Sequence, residues 1–165
     1  MRAHTYSGQV PSIASHLMSW EHYAAAQVRL HLPDGPLVVV PAALGTTVGE
    51  FPDGCDSIAI VTAHNPLGSV VDARSNASAH AELCRRLDSQ DHQYLPAEGG
   101  DPEWRHVEES VGIVDIDVKE ARQFGLEFQQ DAIFVWTRDD WRIVGCTTDR
   151  ESRFGWRVLP AQPVV

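Results

Sequence analysis

Ser57-Ile58-Ala59-Ile60-Val61-Thr62-Ala63-His64-Asn65-Pro66 is an apolar, partly β-branched run that stops abruptly in small and polar residues before a proline. Such a run reads as a buried strand. Its polar end lies at the edge of a sheet, and Ser75-Asn76 follow at the start of a helical pattern. A strand end facing a helix start can hold a polar ligand, because loops beside a rigid scaffold are where function concentrates.

The elements around this run follow from spacing and turn chemistry. A helix is predicted from Ser75 or Asn76 to Leu87, with either residue as its cap. Ala79, Leu83 and Leu87 fall at i, i+4 and i+8 and form its buried stripe. Toward the N-terminus, Val28, Leu30 and Leu32 alternate with Gln27, Arg29 and His31 at the period of a half-buried strand. Pro33-Asp34-Gly35 makes a turn, and Leu37-Val38-Val39-Val40 returns, giving a hairpin over 27–41. Residues 42–56, with Gly45, Gly49, Pro52 and Gly54, read as a loop.

Toward the C-terminus, His92-Gln93-Tyr94-Leu95 is a short strand and 97–102 a turn. Residues 107–116 form a strand interrupted by Gly112. Asp117-Val118-Lys119-Glu120 is a capping box that opens a second helix, with Ala121, Phe124, Gly125 and Phe128 turned to the core. Residues 132–136 and 141–146 pair around Arg138-Asp139-Asp140. The domain is expected to span 1–150, with 151–165 as a tail. The inner order β-α-β-β-α-β is that of a split βαβ. The predicted fold class is α+β: a mainly antiparallel sheet in ferredoxin-like order, with two helices on one face and an added N-terminal hairpin.

Composition narrows the function. Thirteen Lys and Arg against 23 Asp and Glu give a net charge of −10, which repels nucleic-acid backbones and anionic membranes. No apolar run is long enough to span a bilayer. Met1-Arg2-Ala3-His4-Thr5-Tyr6 lacks an apolar signal region, so the expected compartment is the cytoplasm. Cys55, Cys84 and Cys146 are sparse and form no Cys-x-x-Cys, which argues against a disulfide scaffold or a structural zinc site. His80 and Cys84 share a helix face, but no third ligand follows in a recognisable pattern, so no metal is expected. There is no nucleophile elbow, phosphate loop or dinucleotide fingerprint, so no cofactor is expected. Trp20, Trp104, Trp136, Trp141 and Trp156 are too scattered for a base-stacking platform and are assigned in part to the core.

The candidate site has two readings at each position. Thr62 and Asn65 would point donors and acceptors into a cleft. Alternatively Asn65 shapes a turn, with Pro66 pressing it toward extended backbone. Ser75 and Asn76 cap a helix or contact a ligand at its N-terminus. Glu108 and Glu109 project to opposite faces of their strand, and the inward one needs a partner or its pKa rises. That carboxylate is the candidate general acid or base, with His64 as a second proton carrier beside it. Gln130 reads a ligand edge without moving protons, or caps a helix.

Several of these residues carry a family resemblance. Thr62-Ala63-His64-Asn65-Pro66, Ser75-Asn76, Leu83, Leu87, the Gly99 turn, Trp104, Glu109-Ser110 and Phe128-Gln129-Gln130-Asp131-Ala132-Ile133-Phe134 occur in one order. The set resembles a family of small bacterial proteins catalogued as domain of unknown function number 3293, over about residues 57–137. The resemblance implies a bacterial, cytosolic protein and favours Glu109 as the inward carboxylate. It implies no activity, and it implies that the residue between Ala63 and Asn65 varies. The family's Phe-Gly-Gln at the end of the second helix is Phe128-Gln129-Gln130 here.

Two functions follow. In the first, Thr62, Asn65, Ser75, Asn76 and Gln130 bind a small polar molecule, and Glu109 and His64 supply acid–base chemistry. Whether any bond is made or broken is left open by the residues. In the second, the same side chains are caps and turn formers of a non-catalytic interaction module. The edges of hairpins 27–41 and 132–146 would then pair with a partner or a second copy of the chain.

Overall fold

The computed structural model describes residues 20–160. Its strands and helices are β1 (Gln27–Leu32), β2 (Gly35–Ala42), β3 (Thr47–Val48), β4 (Ser57–Thr62), α1 (Ala73–Ser89), β5 (Tyr94–Gly100), β6 (Val107–Val114), α2 (Val118–Glu127), β7 (Ala132–Thr137), β8 (Trp141–Gly145) and β9 (Glu151–Pro160). Residues 20–25 are also helical.

β4 is apolar along its length because it separates two cores. Ile58 and Ile60 pack with Val28, Leu30, Val39, Trp136, Trp141 and Trp156. Ala59 and Val61 pack on the other side with Leu83, Leu87, Ala121 and Phe124. The first cluster is the inside of a barrel. The second lies between the barrel wall and the two helices. The expected stripe of α1 forms, with Leu83 and Leu87 fully buried and Ala79 packed against the same cluster.

The sheet is closed, which overturns the ferredoxin-like α+β expectation. Hydrogen-bonded order is β2-β1-β5-β6-β4-β7-β8-β9-β3, and a further β2–β9 pairing joins the ends of the eight antiparallel strands. The short β3 attaches to β9 in parallel. An eight-stranded barrel has an interior just wide enough to be filled by side chains. Here Trp136, Trp141 and Trp156 fill much of it. The space is tight: a Cβ on Gly112 of β6 would lie 2.6 Å from Leu30 and 3.0 Å from Ile58. Gly112 therefore does not break its strand; it makes room for inward side chains of β1 and β4.

Two expectations fail for one reason. Residues 151–160, read as part of a tail, are the closing strand β9. It pairs with β2 from Leu37↔Pro160 to Ala42↔Gly155, and with β8 from Trp141↔Phe154 to Val144↔Glu151. As a result neither hairpin offers the free edge that the interaction reading required. β1 is flanked by β2 and β5, β2 by β1 and β9, β7 by β4 and β8, and β8 by β7 and β9. Closure removes sheet edges.

The helix starts also differ in detail. α1 is capped by Asp72, whose Oδ1 accepts from Ser75 N at 2.7 Å, so neither Ser75 nor Asn76 is the cap. Asp117 caps α2 as expected, accepting from Lys119 N at 2.8 Å. Glu120 does not complete the box; it meets His92 Nε2 at 2.9 Å. No helix among the described residues is long and apolar enough to cross a membrane.

Candidate functional site

The polar end of β4 is received by three other elements. Thr62 pairs with Ser110 of β6. Its Oγ1 donates to the Glu109 carbonyl at 2.8 Å and accepts from His64 N at 3.1 Å. Asn65 then takes left-handed backbone, φ 47° and ψ 60°, not the extended conformation expected before Pro66. Asparagine tolerates this region better than most residues because its short side chain bonds locally.

Those local bonds are present on every side. Asn76 Oδ1 accepts from Asn65 N at 2.9 Å, and Asn76 Nδ2 donates to Asn65 Oδ1 at 3.1 Å. Asn65 Oδ1 also accepts from Val71 N at 3.3 Å, while Asn65 Nδ2 donates to Glu108 Oε1 at 3.2 Å. Gln130 is buried rather than exposed at a helix end. Its Nε2 donates to the carbonyls of His64, at 2.9 Å, and Phe128, at 3.1 Å. The turn after α2 holds the loop a second time through Leu67 N and the Gln129 carbonyl, at 2.8 Å.

Thr62, His64, Asn65, Asn76 and Gln130 thus meet at one loop, where Asn65 and Asn76 bond each other and the Thr62 hydroxyl and Gln130 amide bond backbone groups. Ser75 stays apart. It is exposed, and its backbone N–H is what Asp72 engages.

The titratable groups are arranged differently from the amides. On α1, Asn76, His80 and Cys84 form a polar line at i, i+4 and i+8. His80 Nε2 lies 3.2 Å from Glu109 Oε1 and 3.6 Å from Cys84 Sγ. The His64 ring meets the His80 ring edge to face, centroids 6.4 Å apart. His64 Nε2 and His80 Nδ1 are both closed off from solvent without a hydrogen-bond partner. Burial pushes the His64 imidazole below its ordinary value, with Glu109 pulling upward and His80 adding to the decrease.

The two glutamates divide as alternation demands, but Glu109, expected to be the inward carboxylate, is the exposed one. Glu109 points to the helix side and its side chain is 56% exposed. Glu108 is the half-buried carboxylate, raised above its ordinary range by burial and partly held down by the bond from Asn65. Its field also acts on Tyr23, which sits edge-on against Phe134 at 6.1 Å. The signal was available: Val111 and Ile113 are apolar and odd-numbered, so Glu109 shares the helix-facing side and Glu108 the barrel side.

Among the described residues, no group of three or more His, Cys, Asp and Glu side chains is arranged to hold a metal ion. A hollow of about 520 Å³ opens elsewhere, lined by Gln90, Asp117, Lys119, Gln123, Phe124 and their neighbours. It contains none of the candidate residues. The acids Glu120 and Glu127 on its wall are already paired with His92 and Arg86, so we assign it to the groove between the helices.

Residues 61–133 match the model of a family described as a protein of unknown function (DUF3293). No curated protein and no solved structure matches the chain. The matched segment runs from β4 into β7. It contains every candidate residue and leaves out β1, β2, β3, β8 and β9.

Proposed function

We propose that the segment shared with this family binds a small polar molecule where β4, α1 and β6 meet, with His64 as a proton-carrying group and Glu108, on the barrel side of β6, linked to it through the Asn65 amide. One observation carries the reading. Two imidazole nitrogens, on His64 and His80, stand buried and unpaired in a region where the neighbouring amides hold hydrogen bonds to one another and to the backbone. An unpaired buried polar group costs about 1–3 kcal/mol, and each such group in a folded protein calls for an explanation. A ligand that donates to one imidazole and accepts from or pairs with the other supplies it.

In this reading Asn65, Asn76, Thr62 and Gln130 position the site rather than touch the ligand. Glu109 orients His80. Glu108, whose carboxyl burial raises above its ordinary range, is the carboxyl suited to exchange a proton there. The net charge of −10 supports a small molecule over a nucleic acid. Three free cysteines, two of them buried, are consistent with a reducing compartment such as the cytoplasm.

The test is a titration of the labelled protein with panels of amines, amides and nucleosides, followed by NMR. The expected result is that at least one compound shifts the His64 ring and Glu108 carboxyl resonances, and that the Glu108 shift is lost in His64→Ala. Compounds that perturb only the α1–α2 groove would overturn the assignment.

A further inference from the structure

His64 joins the barrel to a strained loop. Its backbone is pinned on both sides, by Thr62 Oγ1 at 3.1 Å and Gln130 Nε2 at 2.9 Å. Its ring lies edge-on to His80, with Nε2 sealed from solvent and facing no acceptor. The loop that follows holds left-handed backbone at Asn65 (φ 47°), Leu67 (φ 57°) and Gly68 (φ 70°). For non-glycine residues this costs about 1–2 kcal/mol each. The loop persists because it is tied down elsewhere, by Leu67 N on the Gln129 carbonyl and by Asn65 N on Asn76 Oδ1. It also displays Leu67 and Val70, which are 70% and 90% exposed.

We propose that His64 is an acid-sensitive latch: a proton taken up by its ring drives the imidazole out from beside His80 and releases loop 65–72 from α1 and the turn after α2. The role goes beyond ligand binding and requires no ligand.

The physical reason is that protonation turns both ring nitrogens into donors, and the sealed Nε2 has nothing to donate to. The charged or titratable groups that face the ring are His80 on α1 and Glu109 on β6. Gln130, from the turn after α2, is a neutral amide. Burial disfavours the charged ring more than Glu109 favours it, and His80 adds a smaller push in the same direction as burial. Glu109 is exposed, so a charged imidazole finds it, and water, only by moving outward. The closed loop therefore binds the proton more weakly than the open loop. Lowering the pH through the ordinary histidine range favours opening, by at most about tenfold per pH unit for one proton.

Hydrogen exchange of the Leu67, Gly68 and Val71 amides, corrected for intrinsic rates, tests this at pH 7.5 and 5.5. We expect their protection to fall about tenfold on acidification in the natural chain, and to stay constant in His64→Gln. An unchanged natural chain overturns the latch, as does an equal loss in His64→Gln, which would assign the titration to another group. If that variant does not fold, ¹⁵N NMR of the natural chain decides. The His64 ring must titrate with the same midpoint as loop release, and a separate midpoint overturns the proposal.

Discussion

Asn65 and Asn76 hold each other by two hydrogen bonds, backbone N–H to Oδ1 at 2.9 Å and Nδ2 to Oδ1 at 3.1 Å, across the junction between the end of β4 and the first turns of α1. The pair does for the loop what a backbone ladder does for a strand. It also accounts for a left-handed residue before a proline, because the conformation that Pro66 disfavours is fixed by bonds that only this side chain makes.

Asn65→Ala removes the partner of Asn76 Nδ2, Val71 N and Glu108 at once and places alanine at φ 47°. We expect a loss of about 2–3 kcal/mol, measured by urea unfolding. A change within about 0.5 kcal/mol would mean that Asn65 is not part of the scaffold.

Gln129 lies at φ 57°, in the left-handed region that favours glycine. Gln129→Gly should raise stability by up to about 1 kcal/mol, the relief of left-handed strain less glycine's greater chain entropy. A lower melting temperature in the variant would show that the exposed Gln129 side chain contributes more than its backbone costs.

Local structure was legible wherever period and turn chemistry agreed. The 27–41 hairpin, β4, the stripe Ala79, Leu83 and Leu87, and the Asp117 cap all follow from spacing. Closure was not legible, because it depends on β9 meeting β2, a contact between residues more than a hundred positions apart. Even so, Phe154, Trp156 and Val158 alternate with Arg153, Gly155 and Arg157, and the first three pack against the barrel core. The charged alternates and the final prolines hid a strand period. The site was half legible. The strand-end motif named the right loop, yet spacing alone assigned to ligand contact the amides that in fact hold the loop together. It also left undecided which of two adjacent glutamates faces the interior.

Gly155 is where the loop between β2 and β3 crosses the closing strand. A Cβ there would lie 2.0 Å from the Thr46 carbonyl oxygen and 2.3 Å from that of Ala43. Backbone cannot yield as a side-chain tip does, so Gly155→Ala should cost about 3 kcal/mol or more. In Gly112→Ala the collisions are with Leu30 and Ile58 side chains, and we expect about 1–3 kcal/mol. Chemical denaturation measures both. Equal, negligible losses would mean that β9 does not close the barrel.

The most direct measurement on the proposed site is the pH dependence of stability in Glu108→Gln. Burial raises the Glu108 carboxyl above its ordinary value of 4.5, so the folded state holds that proton more tightly than the unfolded chain. Its stabilising effect is complete below the ordinary value and is lost as pH rises through the folded one. A neutral amide, still able to accept from Asn65, removes the cost of ionisation. Thermal unfolding should therefore show Glu108→Gln more stable than the natural chain at pH 7, with the advantage gone near about pH 4. That result marks Glu108 as a carboxylate kept at the expense of stability. A variant less stable at pH 7 would make Glu108 a structural partner of Asn65 and remove the proton-carrying group from the site.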